Sequence, residues 1–125
     1  MIFDTDVLIW VQRGNKKAAR AVDQASDRHI SIITYMELLQ TARSKKQHDY
    51  ISGFLREFGF HVLPLTENIG HRAAVYVEEY TLSHSIRGTD ALIAATATEN
   101  GIILCSGNAK HFKAIQKLKL KIFRP

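Results

Sequence analysis

Residues 89–105 read TDALIAATATENGIILC, and this stretch decides the fold. Thr89 predicts a helix cap, and the small and apolar residues behind it sustain a helix to Asn100. Gly101 ends that helix at the position that favours a left-handed residue. Ile102 to Cys105 follows at once, an apolar run of strand length. A helix handing its chain straight onto a buried strand is half of a parallel α/β unit, and the rest of the sequence repeats the alternation. Residues 2–4 predict a short buried strand. Asp6 to Val11 is equally compatible with strand and helix, with Thr5 as the possible cap. Asn15 to Ser26 predicts a helix with Ala18, Ala21, Val22 and Ala25 on one face. His29 to Ser31 is a second strand. Thr34–Arg43 and Lys45–Phe58 are two further helices, the latter striped by Tyr50, Ile51, Phe54, Leu55 and Phe58. His61–Leu63 is a third strand, and Thr66 caps a long helix to about Ser83 with Ile69, Ala73, Tyr76, Val77 and Tyr80 inward. Asn108–Ile115 is a short helix and Leu120–Phe123 a closing strand. Strands alternating with helices imply parallel pairing and a sheet covered on both faces.

The 125 residues are 46% hydrophobic and 23% charged, which predicts one self-sufficient domain over residues 1–125. No apolar run approaches the ~20 residues that span a bilayer. The opening Met1-Ile2-Phe3-Asp4 carries no basic leader segment, so a cytoplasmic setting is expected. The single cysteine, Cys105, lies in an apolar run and reads as a buried thiol. Net charge is +5, and after Glu99 there is no acid at all while Lys110, Lys113, Lys117, Lys119, Lys121 and Arg124 accumulate. Such a surface attracts polyanions.

Against that basic background three acids stand among apolar residues. Asp4 closes the run Met1-Ile2-Phe3. Glu37 interrupts Ile32–Leu39. Asp90 heads Ala91–Ala95. Burial strips a carboxylate of its hydration at considerable cost, and no Lys or Arg adjoins Asp4 or Glu37 in sequence. A hard dication shared by all three accounts for each of them: Mg²⁺ or Mn²⁺ takes oxygen ligands, keeps several waters and completes its shell with substrate phosphate. In parallel sheets the working site lies outside the carboxyl ends of the strands, where Asp4 and Asn108 both fall. Asp6 reads equally well as an acid in a first helical turn. The six histidines show no zinc spacing, and His111 reads as a surface or helix-end residue. Neither a nucleophile elbow nor a Gly-rich phosphate loop is present. Trp10, Tyr35 and Tyr76 read as core.

At these residues the chain resembles a PIN-domain ribonuclease, specifically the VapC-type toxins of type II toxin–antitoxin pairs. The opening FDTDVLIW, the segment SIITYMELLQTAR, the long block IRGTDALIAATATENGIILCSGNAKHF and the closing LKIF carry the likeness, and the third block is the most specific. The resemblance implies a three-layer α/β/α PIN-like domain with a central, mostly parallel sheet. It implies a catalytic set of Asp4, Glu37, Asp90 and Asn108, with Asp4, Glu37 and Asp90 holding Mg²⁺ or Mn²⁺. Thr5, Asp6 and Ser106 are expected to support that shell. Asn108 stands where many relatives place a fourth acid, so the set carries one charge fewer. The implied protein is a cytoplasmic endoribonuclease, a homodimer, with RNA as substrate and a VapB-type antitoxin as inhibitor in a hetero-oligomer. Two other readings exist. Asp4-Thr5-Asp6 after an apolar strand is also how a haloacid-dehalogenase-like phosphatase begins, although that chemistry needs a downstream acid pair that is missing after Glu99. A non-catalytic RNA-binding or regulatory module on a degenerate nuclease fold would have no need of all three acids.

Overall fold

β1 (Ile2–Phe3) occupies the middle of a five-stranded sheet in the computed structural model, which describes all 125 residues. Around it run α1 (Thr5–Gln12), α2 (Lys16–Gln24), β2 (His29–Ser31), α3 (Ile32–Thr41), α4 (Lys45–Glu57), β3 (His61–Leu63), α5 (Glu67–His84), α6 (Gly88–Asn100), β4 (Leu104–Ser106), α7 (Ala109–Phe112) and β5 (Leu120–Ile122). The strand order is β3-β2-β1-β4-β5, and every pairing is parallel.

Alternation along the strands divides the core in two. Ile2 and Leu104 point to one face, where α5, α6 and α7 contribute Ile69, Ala73, Tyr76, Ile93 and Phe112. Phe3, Ile30 and Cys105 point to the other, against Val7 and Leu8 of α1, Ala18 and Val22 of α2, and Ile51 and Leu55 of α4. The expected three-layer α/β/α arrangement is therefore observed, with helices on both faces of the sheet. Small residues on α6 let α5 pack closely, since Ala91, Ala94, Ala95 and Ala97 are all fully buried. Cys105 is buried as expected, and burial pushes its thiol up to about 11. No helix is long and apolar enough to cross a membrane.

Several boundaries differ from the sequence reading, each for a local reason. The 5–12 segment is a helix, and its cap is Asp4 rather than Thr5: Asp4 Oδ1 accepts from the Thr5 amide at 2.8 Å. α3 begins at Ile32 rather than Thr34 because Ser31 caps it, accepting from the Thr34 amide at 3.0 Å. α6 begins at Gly88, so Asp90 is its third residue rather than its first, and Asp90 Oδ2 reaches back to the Arg87 amide at 3.3 Å. On α4 only Ile51 and Leu55 are buried, while Tyr50 is 70% exposed. The α7 helix closes at Phe112, shorter than its periodicity suggested.

Candidate active site

Asp4 follows the central strand directly and is 4% exposed. The sheet order reverses direction between β1 and β4, and a crevice opens at such a switch point beyond the carboxyl ends of the strands. Asp4 stands on one lip of it. The other lip is Ser106, fully buried, whose Oγ donates to Asp4 Oδ2 at 2.7 Å and accepts from the Asn108 amide at 3.0 Å. With the Thr5 amide on Oδ1, both Asp4 oxygens are fixed.

Thr5 joins the second acid to the first. Its hydroxyl lies 2.7 Å from Glu37 Oε1 and 3.0 Å from Thr34 Oγ1, and Thr34 in turn lies 3.3 Å from the Ser31 hydroxyl. Ser31 and Thr34 are fully buried, so this hydroxyl chain at the start of α3 sets the height of Glu37 on the helix. Asp6 is held from the opposite side: its Oδ2 accepts from the Gly107 amide at 2.9 Å. A Cβ at position 107 would sit 2.6 Å from that oxygen, so only glycine admits the contact undisturbed. The other oxygen, Asp6 Oδ1, is buried and has no partner.

The electrostatics follow from that crowding. Burial first, then the charge of Asp6 and more weakly that of Asp90, raises the Asp4 carboxyl to about 7, against the lowering effect of its Ser106 and Thr5 bonds. Burial also raises Asp6, partly offset by the Gly107 amide. No Lys or Arg pairs with Asp4, Asp6, Glu37 or Asp90, in a chain of net charge +5. Such an uncompensated oxygen set suits a hard dication, and the donors are of the type Mg²⁺ and Mn²⁺ accept. No three of the carboxylate, imidazole and thiol groups stand close enough together to hold an ion between them. Mg²⁺ retains waters and needs only one or two protein carboxylates.

Asn108, by contrast, is exposed, and its side chain touches none of the acids; its link to them runs through its own amide and Ser106. His111 stands in the last turn of α7, the helix-end position expected of it, but its contact with Asp90 was not expected. Its Nδ1 lies 3.2 Å from Asp90 Oδ2, with the two side chains 23% and 17% exposed. No spacing in the sequence signals this, because the contact arises from the packing of α7 on α6. The larger hollows lie elsewhere, one of about 440 Å³ on α4 and one of about 400 Å³ beside Arg72 and Glu99. A chain-like substrate needs an open rim rather than a cavity, so the acids and not the hollows mark the site.

Sheet order and acidic rim agree with what the whole chain matches: it belongs to the PIN domain family, whose model covers residues 1–118. Among its relatives, Ribonuclease VapC10 of Mycobacterium tuberculosis is 32% identical over 123 residues, covering 95% of this chain and 90% of that protein. A toxin–antitoxin complex from Klebsiella pneumoniae contains a chain of TM-score 0.80 and 27% identity, with 94% and 93% of the two chains covered. The structure of VapBC2 from Rickettsia felis, bound to a DNA fragment from its promoter, shares the fold at TM-score 0.80 and 20% identity, over 99% of this chain and 100% of that one.

Proposed function

We propose that this chain is the toxin endoribonuclease of a type II toxin–antitoxin pair, a single nuclease domain of residues 1–125 working in the cytoplasm. The observation that carries the reading is Asp4: a buried carboxylate beside two further acids with no basic partner, in a PIN-family fold. Asp4 and Asp90 would hold Mg²⁺ or Mn²⁺, and Glu37 would hold the ion or its water. When bound, the ion supplies Lewis acidity, making a water more acidic and offsetting charge that develops on phosphorus.

The chain's own residues do the rest. Ser106 and the Thr5 amide keep both Asp4 oxygens aligned, and the Thr5 hydroxyl aligns Glu37. Gly107 holds Asp6 close enough for its charge to bear on Asp4. Asn108 caps the rim and adds a neutral polar group for water or substrate. The lysines beyond Glu99 draw the RNA backbone to the acidic rim, since each neutralised phosphate releases counterions. The name of the Mycobacterium relative and the complexes among the structural neighbours support the RNA substrate and a VapB-type antitoxin partner. A homodimer completes the proposed assembly.

The test is cleavage of single-stranded RNA by the purified chain with Mg²⁺ or Mn²⁺, with EDTA, and with Asp4→Asn and Asp90→Asn. Cleavage that needs the ion and both carboxylates supports the reading. Metal-independent cleavage, or full activity in either variant, rejects it. RNA binding with no cleavage under any metal favours the non-catalytic module instead.

A further inference from the structure

Asp90 has two nitrogen neighbours, and both face the same oxygen. The Arg87 amide lies 3.3 Å from Oδ2, and His111 Nδ1 lies 3.2 Å from Oδ2. Oδ1 takes no hydrogen bond from the protein. His111 Nδ1 is itself buried, and its present angle to Asp90 is not that of a formed hydrogen bond. No other acceptor reaches it. The imidazole cannot drift away, because the next residue, Phe112, is 1% exposed and anchors α7 in the core beside α6. A buried ring nitrogen with a single acceptor in range bonds to that acceptor, and a small rotation of either side chain closes the bond.

We propose that His111 is a positioning residue: its Nδ1–H fixes Oδ2 of Asp90 and thereby presents Oδ1 to the dication. This rests on the metal-site reading of Asp90 given above. The contact needs only the neutral tautomer with the proton on Nδ1, so it requires no charge on the imidazole. The physical gain is orientation. A carboxylate with one oxygen tied by two donors has lost most of its torsional freedom and keeps the other oxygen as a single directed ligand. Outer hydrogen bonds of this kind are worth about 10–100-fold in metal affinity or activity. They matter most where few protein ligands are present, and no three such groups converge here.

The experiment compares His111→Asn, His111→Gln and His111→Leu in the full chain. The amide nitrogen of Asn falls near the place of Nδ1, whereas that of Gln falls near Nε2. Mn²⁺ affinity is measured by calorimetry without RNA, and cleavage is measured separately. Unfolding in EDTA reports whether each variant is folded. His111→Leu and His111→Gln are expected to bind Mn²⁺ about 10–100-fold more weakly than wild type. His111→Asn is expected to stay within a few-fold of wild type. Should the Leu variant fail to fold, the contrast between Asn and Gln still decides. Equal Mn²⁺ affinity in all folded variants overturns the proposal, as does an Asn variant no better than Gln. Failure of the underlying reading looks different: wild type itself then takes up no Mn²⁺, or Asp90→Asn leaves its affinity unchanged.

Discussion

Replacing Asp4 by Asn in the metal-free protein is expected to remove a pH-dependent instability. Asp4 holds its proton up to about pH 7 in the native state, against 3.8 for an ordinary aspartate. Below the lower value both native and unfolded chains are protonated, and the group makes no difference. Between the two values the native state binds the proton and the unfolded state does not, so stability falls as pH rises. The slope is about 1.4 kcal/mol per pH unit, and across the interval the loss reaches about 4 kcal/mol before levelling off above the native value. That is a large share of the ~5–15 kcal/mol typical of a domain. Burial is the first cause, so Asn, which carries no charge to desolvate, escapes it. The assay is urea unfolding in EDTA from pH 4.5 to 8.5. Subtracting the Asp4→Asn curve from wild type cancels the titration of the six histidines. Wild type should lose several kcal/mol relative to the variant over this range, and saturating Mg²⁺ should flatten the wild-type curve by binding the deprotonated form. Parallel curves for the two proteins in EDTA would refute the reasoning, because Asp4 would then not be a costly buried charge.

Further outcomes follow from the site's contacts. Gly107→Ala places a Cβ 2.6 Å from Asp6 Oδ2, displaces that carboxylate and breaks its hydrogen bond from the residue-107 amide, so urea unfolding should show a loss of about 0.5–1.5 kcal/mol; an unchanged midpoint rejects the clash. Thr5→Val keeps the shape but removes the hydroxyl that binds Glu37, which should lower RNA cleavage at least tenfold at saturating Mg²⁺ while the circular dichroism spectrum is retained. Phe112→Ala should cost about 3–5 kcal/mol, because the ring is buried where α7 meets α6. Cleaved RNA should carry 5′-phosphate and 3′-hydroxyl ends, since attack by water leaves the ribose 2′-hydroxyl intact; 2′,3′-cyclic phosphate ends detected by mass spectrometry would refute this.

Legibility in the sequence followed the range of the interactions. The 89–105 stretch announced helix, stop and strand in the right order because Gly101 and the apolar runs act locally, although β4 begins at Leu104 and ends at Ser106 rather than running from Ile102 to Cys105, and the parallel sheet followed from the alternation. Helix starts were less legible, because a cap is chosen among neighbouring hydroxyls and carboxylates by tertiary fit. Asp4 took the cap from Thr5 because the Thr5 hydroxyl was already committed to Glu37 and Thr34. The acids stood out individually through their apolar neighbours, yet the ranking among them did not. Asp6 bears on Asp4 more strongly than Asp90 does, and the Gly107 amide fixes its carboxylate. His111 was invisible to any spacing rule, since its partner lies on a different helix and only the packing of α7 joins them.

The bond from Ser106 to Asp4 spans 102 positions of sequence, and the amide of Asp4 itself pairs with the carbonyl of Cys105. During translation the residues of β1 emerge long before those of β4, so their neighbour is still unmade. A ribosome partway through this message therefore carries no working nuclease, however well the early helices have folded. The paired rim of Asp4 and Ser106 is complete only on a nearly finished chain.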